Sequence, residues 1–290
     1  MNDKITSLAI SSDKRDIPTT TPSPQISTPK LVGILNFTPD SFSDGGQNYN
    51  IEQALQQSLK MIADGANIIE LGAESTRPGA IKLTAEQEFQ RLKIILPELI
   101  QLCKEKNILI SLDSYHLANI KWALELGIDI VNDVSGLNDL GLLDVIENSN
   151  CQLVIMHNLG IPADKNNILP ENIDIIDYLI NWATNIVEKL ESFNITKERL
   201  IIDPGIGFGK SPAQNIQILQ NISALKSLGL AIMIGHSRKS FLTALLPNLT
   251  NNRDVETAYI SSYLSKQKID YLRVHNILYT HNLLELQKII

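Results

Sequence analysis

The sequence predicts an α/β fold: a single closed (β/α)8 barrel of the TIM type, preceded by a low-complexity N-terminal segment. Three observations carry that expectation. Eight short runs rich in Val, Ile and Leu recur from Leu31 onward, apolar on both faces as strands of a helix-covered parallel sheet must be. Helical patterns separate them, and alternating β and α segments imply right-handed crossovers into one sheet. The length also fits, because a barrel of this kind takes about 250 residues and its units recur here at intervals of roughly 20 to 50. An open doubly wound sheet is the rival topology.

Residues 1–30 read as a tail or linker and residues 31–290 as the barrel. The stretch "SSDKRDIPTTTPSPQISTPK", Ser11 to Lys30, is almost empty of large apolar residues and cannot offset the cost of its own ordering. The strands are expected in "LVGILN", "IIELG", "LISLDS", "IDIVND", "QLVIMHN", "LIIDPG", "AIMIGHS" and "DYLRVHN". Between the first two, "NIEQALQQSLKMIADGA" sets Ala54, Leu55, Leu59, Met61 and Ile62 at helical spacing, and its closing "GA" supplies a stop. Trp122 and Trp182 fall in helical segments and are expected to pack rather than to stack on a ligand.

Composition excludes some functions. With 290 residues, 43% of them hydrophobic, the chain can bury a large core without disulfides. Its net charge of -7 and pI near 5.3 argue against a general nucleic-acid or anionic-membrane binder, so any anionic ligand needs a local cluster of cations. Cys103 and Cys151 sit far apart in apolar surroundings, as core thiols suited to a reducing cytoplasm. "MNDKITSLAI" has no signal-peptide core, and no segment reaches membrane-spanning length, so a cytoplasmic protein is expected. Sequons at Asn36, Asn194, Asn221 and Asn248 are chance matches in such a protein.

Active sites of such barrels lie at the C-terminal strand ends and in the loops that follow. Those ends supply Asn36, Thr76, Arg77, Asp113, Asn132, His157, Asp203, Ser237 with Arg238 and Lys239, then Arg273 and His275. One Asn or Asp there is explained by turn chemistry. A polar group at every end points to a cavity. Arg273 and His275 alternate about Val274 and are expected to point inward together. Arg77, Arg273, His275 and the Asn36 amide suit an anion, since guanidinium forks match phosphate oxygens. Asp113, Asn132, Asp203 and Lys239 suit a flat heterocycle with alternating donors and acceptors.

"DPGIGFGKS", Asp203 to Ser211, is not a phosphate loop: Pro204 stands where a Walker motif needs glycine, and the dinucleotide spacing is absent. Gly205, Gly207 and Gly209 instead suggest a tight turn that lets backbone approach a ligand, with Lys210 solvated. Ser237 shows no His/Asp relay, and "GHSRK" lacks the second glycine of a nucleophile elbow. His116 and His236 are expected as helix-cap or surface residues. Loops "FTPDSFSDGG" and "STRPGAIKL" are suited to close over substrates.

Taken together, "GILNFTPDSFSDGG", "GAESTRPGA", "SLDS", "IVND", "IIDPGIGFGK", "GHSRKS" and "RVHN" resemble, in order and spacing, the signatures of the dihydropteroate synthase family. The resemblance implies the same barrel, usually a homodimer, joining the diphosphate ester of 6-hydroxymethyl-7,8-dihydropterin to 4-aminobenzoate with the help of Mg²⁺, in competition with sulfonamides. It implies pterin binding by Asp113, Asn132, Asp203 and Lys239. The diphosphate falls to Asn36, Arg77, Arg273 and His275, with Asn36 at the metal. For 4-aminobenzoate it implies Thr76, Ser237, Phe42 and Pro78 with Lys239, and among all these Asp113, Lys239 and Arg77 are the catalytic group. Ala73, Asn158, Glu256 and Asn276 depart from the family pattern. A folate-dependent methyltransferase is the rival enzyme class, though it needs no diphosphate site, and a non-catalytic barrel is the third reading.

Overall fold

The computed structural model describes residues 28–38, 50–245 and 253–290. Phe42 of the first loop and residues 1–27 of the expected tail lie outside them. The strands are β1 (Lys30–Asn36), β2 (Ile68–Gly72), β3 (Leu109–Asp113), β4 (Ile130–Asp133), β5 (Gln152–Met156), β6 (Leu200–Asp203), β7 (Ala231–Ile234) and β8 (Tyr271–Val274). They pair in parallel in sequence order, and β8 returns to β1 to close the barrel. Every expected run is a strand, and the open-sheet rival is excluded.

The helices between them are α1 (Ile51–Ala63), α2 (Ala85–Lys106), α3 (Leu117–Leu126), α4 (Gly141–Glu147), α5 (Ile175–Glu191), α6 (Pro212–Asn221), α7 (Phe241–Leu245), α8 (Asp254–Ser265) and α9 (Ile277–Ile289). Their ends are written in the sequence. Thr84 with Gln87, and Ser211 with Gln214, form capping boxes that satisfy orphan N–H groups. Asn107 and Gly127 end α2 and α3 in the left-handed conformation. Trp122 packs edge-on against Phe89 at 5.0 Å, and Cys103 and Cys151 are buried thiols. Among the described residues no helix is long and apolar enough to cross a membrane.

Side chains alternate across a strand, so each strand feeds two cores. Outward residues such as Leu35, Leu71, Leu112, Val131, Ile155, Ile202, Ile234 and Leu272 pack against the helices. Inward, Val32, Ile68, Ile130, Val154, Ile201, Met233 and Tyr271 form a separate apolar plug near the N-terminal strand ends. Each such fully buried Ile or Val contributes about 1.5–3 kcal/mol by leaving water. Two residues further along the same strands the inward positions become Glu70, Asn132, Asp203 and Arg273. The period of two thus puts a polar layer directly on the plug.

Candidate active site

At the centre of that layer lies Arg273. Its Nε donates to Glu70, and its Nη2 donates to the Asp113 carboxylate at 2.8 Å. Glu70 is fully buried and also accepts from Asn132 Nδ2 at 3.0 Å. That bond fixes the Asn132 amide with its Oδ1 available as an acceptor. Two carboxylates share one guanidinium, which favours a proton on one of them. Burial pushes Asp113 up to about 8; Arg273 opposes the rise and Glu70 adds to it. Burial alone would lower Arg273, but Glu70 and Asp113 hold it above its ordinary value.

Asp203, buried at the end of β6, accepts from the Gly205 N–H at 2.7 Å. Burial raises it and Lys239 opposes that rise. Lys239 donates to the Ile206 carbonyl, and its Nζ lies 4.7 Å from the Phe208 ring centroid. Burial pushes Lys239 down to about 8, against the pull of Asp203. Glycine at two strand ends makes room for the convergence. A Cβ on Gly235 would meet Asp203 Oδ2 at 3.5 Å and Arg273 Cδ at 3.6 Å, and one on Gly72 would meet Asn36 Oδ1 and Asp113 Oδ2 at 3.8 Å. Asp113, Asn132, Asp203, Lys239 and Asn36 therefore converge on one cavity mouth around Arg273.

The anion group is arranged differently from the expectation. Arg273 and His275 have different partners: the Arg273 Nε and Nη2 are taken up by the Glu70 and Asp113 carboxylates. His275 Nδ1 instead meets Ser237 Oγ at 2.9 Å, and the His275 N–H donates to the same oxygen at 3.2 Å. Burial, then Arg238, Arg273 and Arg77, push His275 down to about 3, so a neutral imidazole sits among three guanidinium groups. Arg77 and Pro78 are exposed on the second loop and Thr76 is half-buried. The Thr76 carbonyl accepts from the Ala163 N–H at 3.2 Å, tying that loop to the one after β5.

Several expectations need correction. Lys210 is buried, not solvated: its Nζ donates to His157 Nδ1 at 2.8 Å, to the Gly205 carbonyl at 3.1 Å and to the Phe208 carbonyl at 2.9 Å. His236 is fully buried rather than superficial, with Nε2 at 3.0 Å from the Thr257 carbonyl. His116 occupies the N-cap position of α3 but makes no side-chain cap bond; its Nε2 meets Glu74 Oε2 at 3.2 Å. Ser237, expected to have no relay, has a histidine partner 38 positions away because β7 and β8 are neighbours. Glu70 and Glu74 were not signalled as site residues. Glu74 accepts from Tyr115 OH at 2.7 Å and from the Leu83 N–H at 3.0 Å, closing the second loop at its base. Of the departures from the family pattern, Asn158 bonds the Val134 carbonyl at 2.9 Å and Asn276 caps α9.

Comparison with known proteins agrees with this geometry. A family model described as "Pterin binding enzyme" matches residues 32–275. A dihydropteroate synthase of Streptococcus pyogenes serotype M6 is 37% identical over 250 residues, covering 85% of this chain and 90% of that protein. A probable bifunctional folylpolyglutamate synthase/dihydropteroate synthase of Haloferax volcanii is 33% identical over 85% of this chain, which spans only 29% of that longer protein. Among solved structures, dihydropteroate synthase from Anaplasma phagocytophilum with bound 6-hydroxymethylpterin-monophosphate superposes with a TM-score of 0.83 at 35% identity, covering 90% of this chain and 99% of that one. With the family match extending from the first strand to His275, and both chains of the solved pair almost wholly covered, the protein belongs to the dihydropteroate synthase family of pterin-binding enzymes.

Proposed function

We propose that the protein is a transferase of folate synthesis, condensing (7,8-dihydropterin-6-yl)methyl diphosphate with 4-aminobenzoate to give 7,8-dihydropteroate and diphosphate. The observation that carries the reading is the Arg273 guanidinium shared by Glu70 and Asp113 at the floor of a mouth that Asn36, Asn132, Asp203 and Lys239 also line. A negative, acceptor-rich pocket suits the N–H edge of an aminopterin. Arg77, exposed on the second loop, offers a guanidinium to a departing diphosphate.

In this reading Asp113, Asn132 Oδ1 and Asp203 accept from the ring, and Lys239 donates to its carbonyl. Breaking the methylene carbon–oxygen bond sends the electron pair to the diphosphate and leaves a cation delocalised over the pterin. In its ionised form the Asp113 carboxylate stabilises that charge electrostatically, and a cation developing beside it favours that form. The arylamine lone pair then forms the new carbon–nitrogen bond and a proton is released. Because the arylamine is neutral at pH 7, no strong base is needed, and positioning supplies much of the rate. Arg77, His275 and Asn36 receive the diphosphate, while Thr76, Pro78, Ser237 and Phe42 hold 4-aminobenzoate, where a sulfonamide competes.

Mg²⁺ belongs to the same proposal. That ion commonly takes one or two protein oxygens and completes its shell with water and substrate phosphates. The Asn36 amide oxygen, half-buried at the end of β1, fits such a role, and among the described residues no cluster of three His, Cys, Asp or Glu side chains forms an all-protein cage. When bound, the ion offsets charge on the leaving diphosphate. A homodimer is supported by the apolar side chains of Val255, Tyr259 and Tyr263 on α8 and Tyr279 on α9, all exposed. Buried thiols at Cys103 and Cys151 support a cytoplasmic setting.

The test is direct. Purified protein given both substrates and Mg²⁺ should release diphosphate and form dihydropteroate. Failure to form either product, with binding of methyltetrahydrofolate in its place, would favour methyl transfer instead.

A further inference from the structure

The buried ammonium of Lys210 takes part in none of the steps above, yet it holds three acceptors drawn from two parts of the chain. His157 Nδ1 comes from the end of β5; the Gly205 and Phe208 carbonyls come from the turn after β6. Three donors meet three acceptors, so the ammonium is saturated and the His157 proton is left on Nε2, facing Tyr178 OH at 3.4 Å. The turn itself has little slack. Gly205, Gly207 and Gly209 have φ of +68°, +81° and +69°, and a Cβ on Gly205 would lie 1.9 Å from the His157 carbonyl oxygen. Between the two carbonyls that Lys210 gathers lies the Ile206 carbonyl, which accepts from Lys239 instead. Phe208, whose carbonyl Lys210 holds, presents its ring to the same Lys239 ammonium. Gly205, the other anchor, donates its N–H to Asp203. Two lysines thus hold three carbonyls of one turn between them.

Resting on the pterin-binding role given above to Lys239 and Asp203, we propose that Lys210 is a positioning residue: by gathering the Gly205 and Phe208 carbonyls against His157, it fixes the turn that sets where the Lys239 ammonium meets the pterin. Without Lys210 the Phe208 carbonyl loses its donor and the Gly205 carbonyl keeps only the Phe208 N–H at 3.0 Å, so the turn loses its tie to His157 and relaxes. Lys239 then loses both the Ile206 carbonyl and the Phe208 ring. No new contact to the substrate is involved, so the effect passes through the turn: the larger share through Lys239, which touches it twice, and the rest through Asp203, which accepts the Gly205 N–H.

That dependence is measurable as a coupling between the two positions. Calorimetric Kd values for the pterin diphosphate are compared in four proteins: native, Lys210→Met, Lys239→Met and the double variant, each checked for folding by thermal melting. Lys210→Met should weaken the pterin diphosphate about tenfold in the native background, and no more than about threefold where Lys239 is already Met. Equal losses in both backgrounds, or no loss in the first, overturn the inference, since a merely structural lysine would act additively. If Lys210→Met does not fold, Lys210→Arg carries the same four-way comparison with a smaller expected loss, about threefold. The Kd comparison is independent of turnover. A native protein that binds pterin diphosphate but makes no dihydropteroate sinks the proposed reaction and leaves this coupling to be judged separately.

Discussion

Arg273→Met removes the one cation that the Glu70 and Asp113 carboxylates share, and its consequence follows from the charge count in the polar layer. With both carboxylates ionised the native cluster holds one positive and two negative groups; the variant holds two negative groups facing each other, one of them fully buried. Breaking a buried ion pair from one side costs about 3–5 kcal/mol, and losing the shared partner of two carboxylates belongs at the upper end. For a domain of this size about 1 kcal/mol moves the melting temperature by roughly 2–4 °C, so a fall of about 8–20 °C at pH 8 is expected. Asp113 is already pushed up to about 8 and takes a proton readily as the pH falls, which relieves the repulsion. Urea denaturation of native and variant protein at pH 8 and pH 5.5 measures both effects. The deficit should shrink at the lower pH, and adding Glu70→Gln to the variant should recover part of it. A loss under about 1 kcal/mol, or an equal loss at the two pH values, would refute the account of Arg273 as the shared counter-ion.

Asp113→Asn keeps the shape of the carboxylate but not its charge, so turnover should fall about 10²–10³-fold while the melting temperature holds or rises; unchanged turnover would discredit Asp113 as the cation stabiliser. The raised Asp113 has a signature of its own in stability. Between the ordinary carboxylate value near 4 and its folded value of about 8, the native state keeps a proton that the unfolded chain has given up, so stability should decline as pH rises through that window, and Asp113→Asn should flatten the slope. Gly205→Ala places a methyl group 1.9 Å from the His157 carbonyl oxygen at a φ of +68°, and denaturation should report a loss of about 3 kcal/mol or more. Burial pushes Cys103 up to about 12 and raises Cys151 as well, so a thiol reagent at pH 8 should label neither cysteine until denaturant is added.

The barrel was legible because parallel strands buried on both faces leave an unmistakable apolar run, and all eight runs fell where strands lie. The strand-end polar residues were legible for a similar reason: Asn36, Asp113, Asn132 and Asp203 interrupt apolar segments. Glu70 was hidden by its position inside "IIELG", where one charge among apolar residues looks like an exposed edge. A signal was nonetheless present: Glu70, Asn132, Asp203 and Arg273 each stand two residues beyond a plug residue on the same strand, a period-two match that only a barrel turns into a layer. Lys210 followed three glycines and looked solvated, because nothing local says that a turn will fold back over its own lysine. The Ser237–His275 contact depends on which strands are neighbours, information that local pattern does not hold. The carboxylate partners of Arg273 were not legible because a guanidinium advertises anion binding without saying whether the anion is a ligand or the protein itself.

The plug of Val32, Ile68, Ile130, Val154, Ile201, Met233 and Tyr271 makes the barrel a cup with a sealed base. Whatever occupies the polar floor must arrive and depart by the rim, past anything lodged higher up. Two reactants sharing such a vessel queue: the deeper one goes in first, and the joined product leaves ring-last. A dead-end blocker at the rim would therefore trap the deeper guest rather than expel it, turning a competitor for one reactant into a lock on the other.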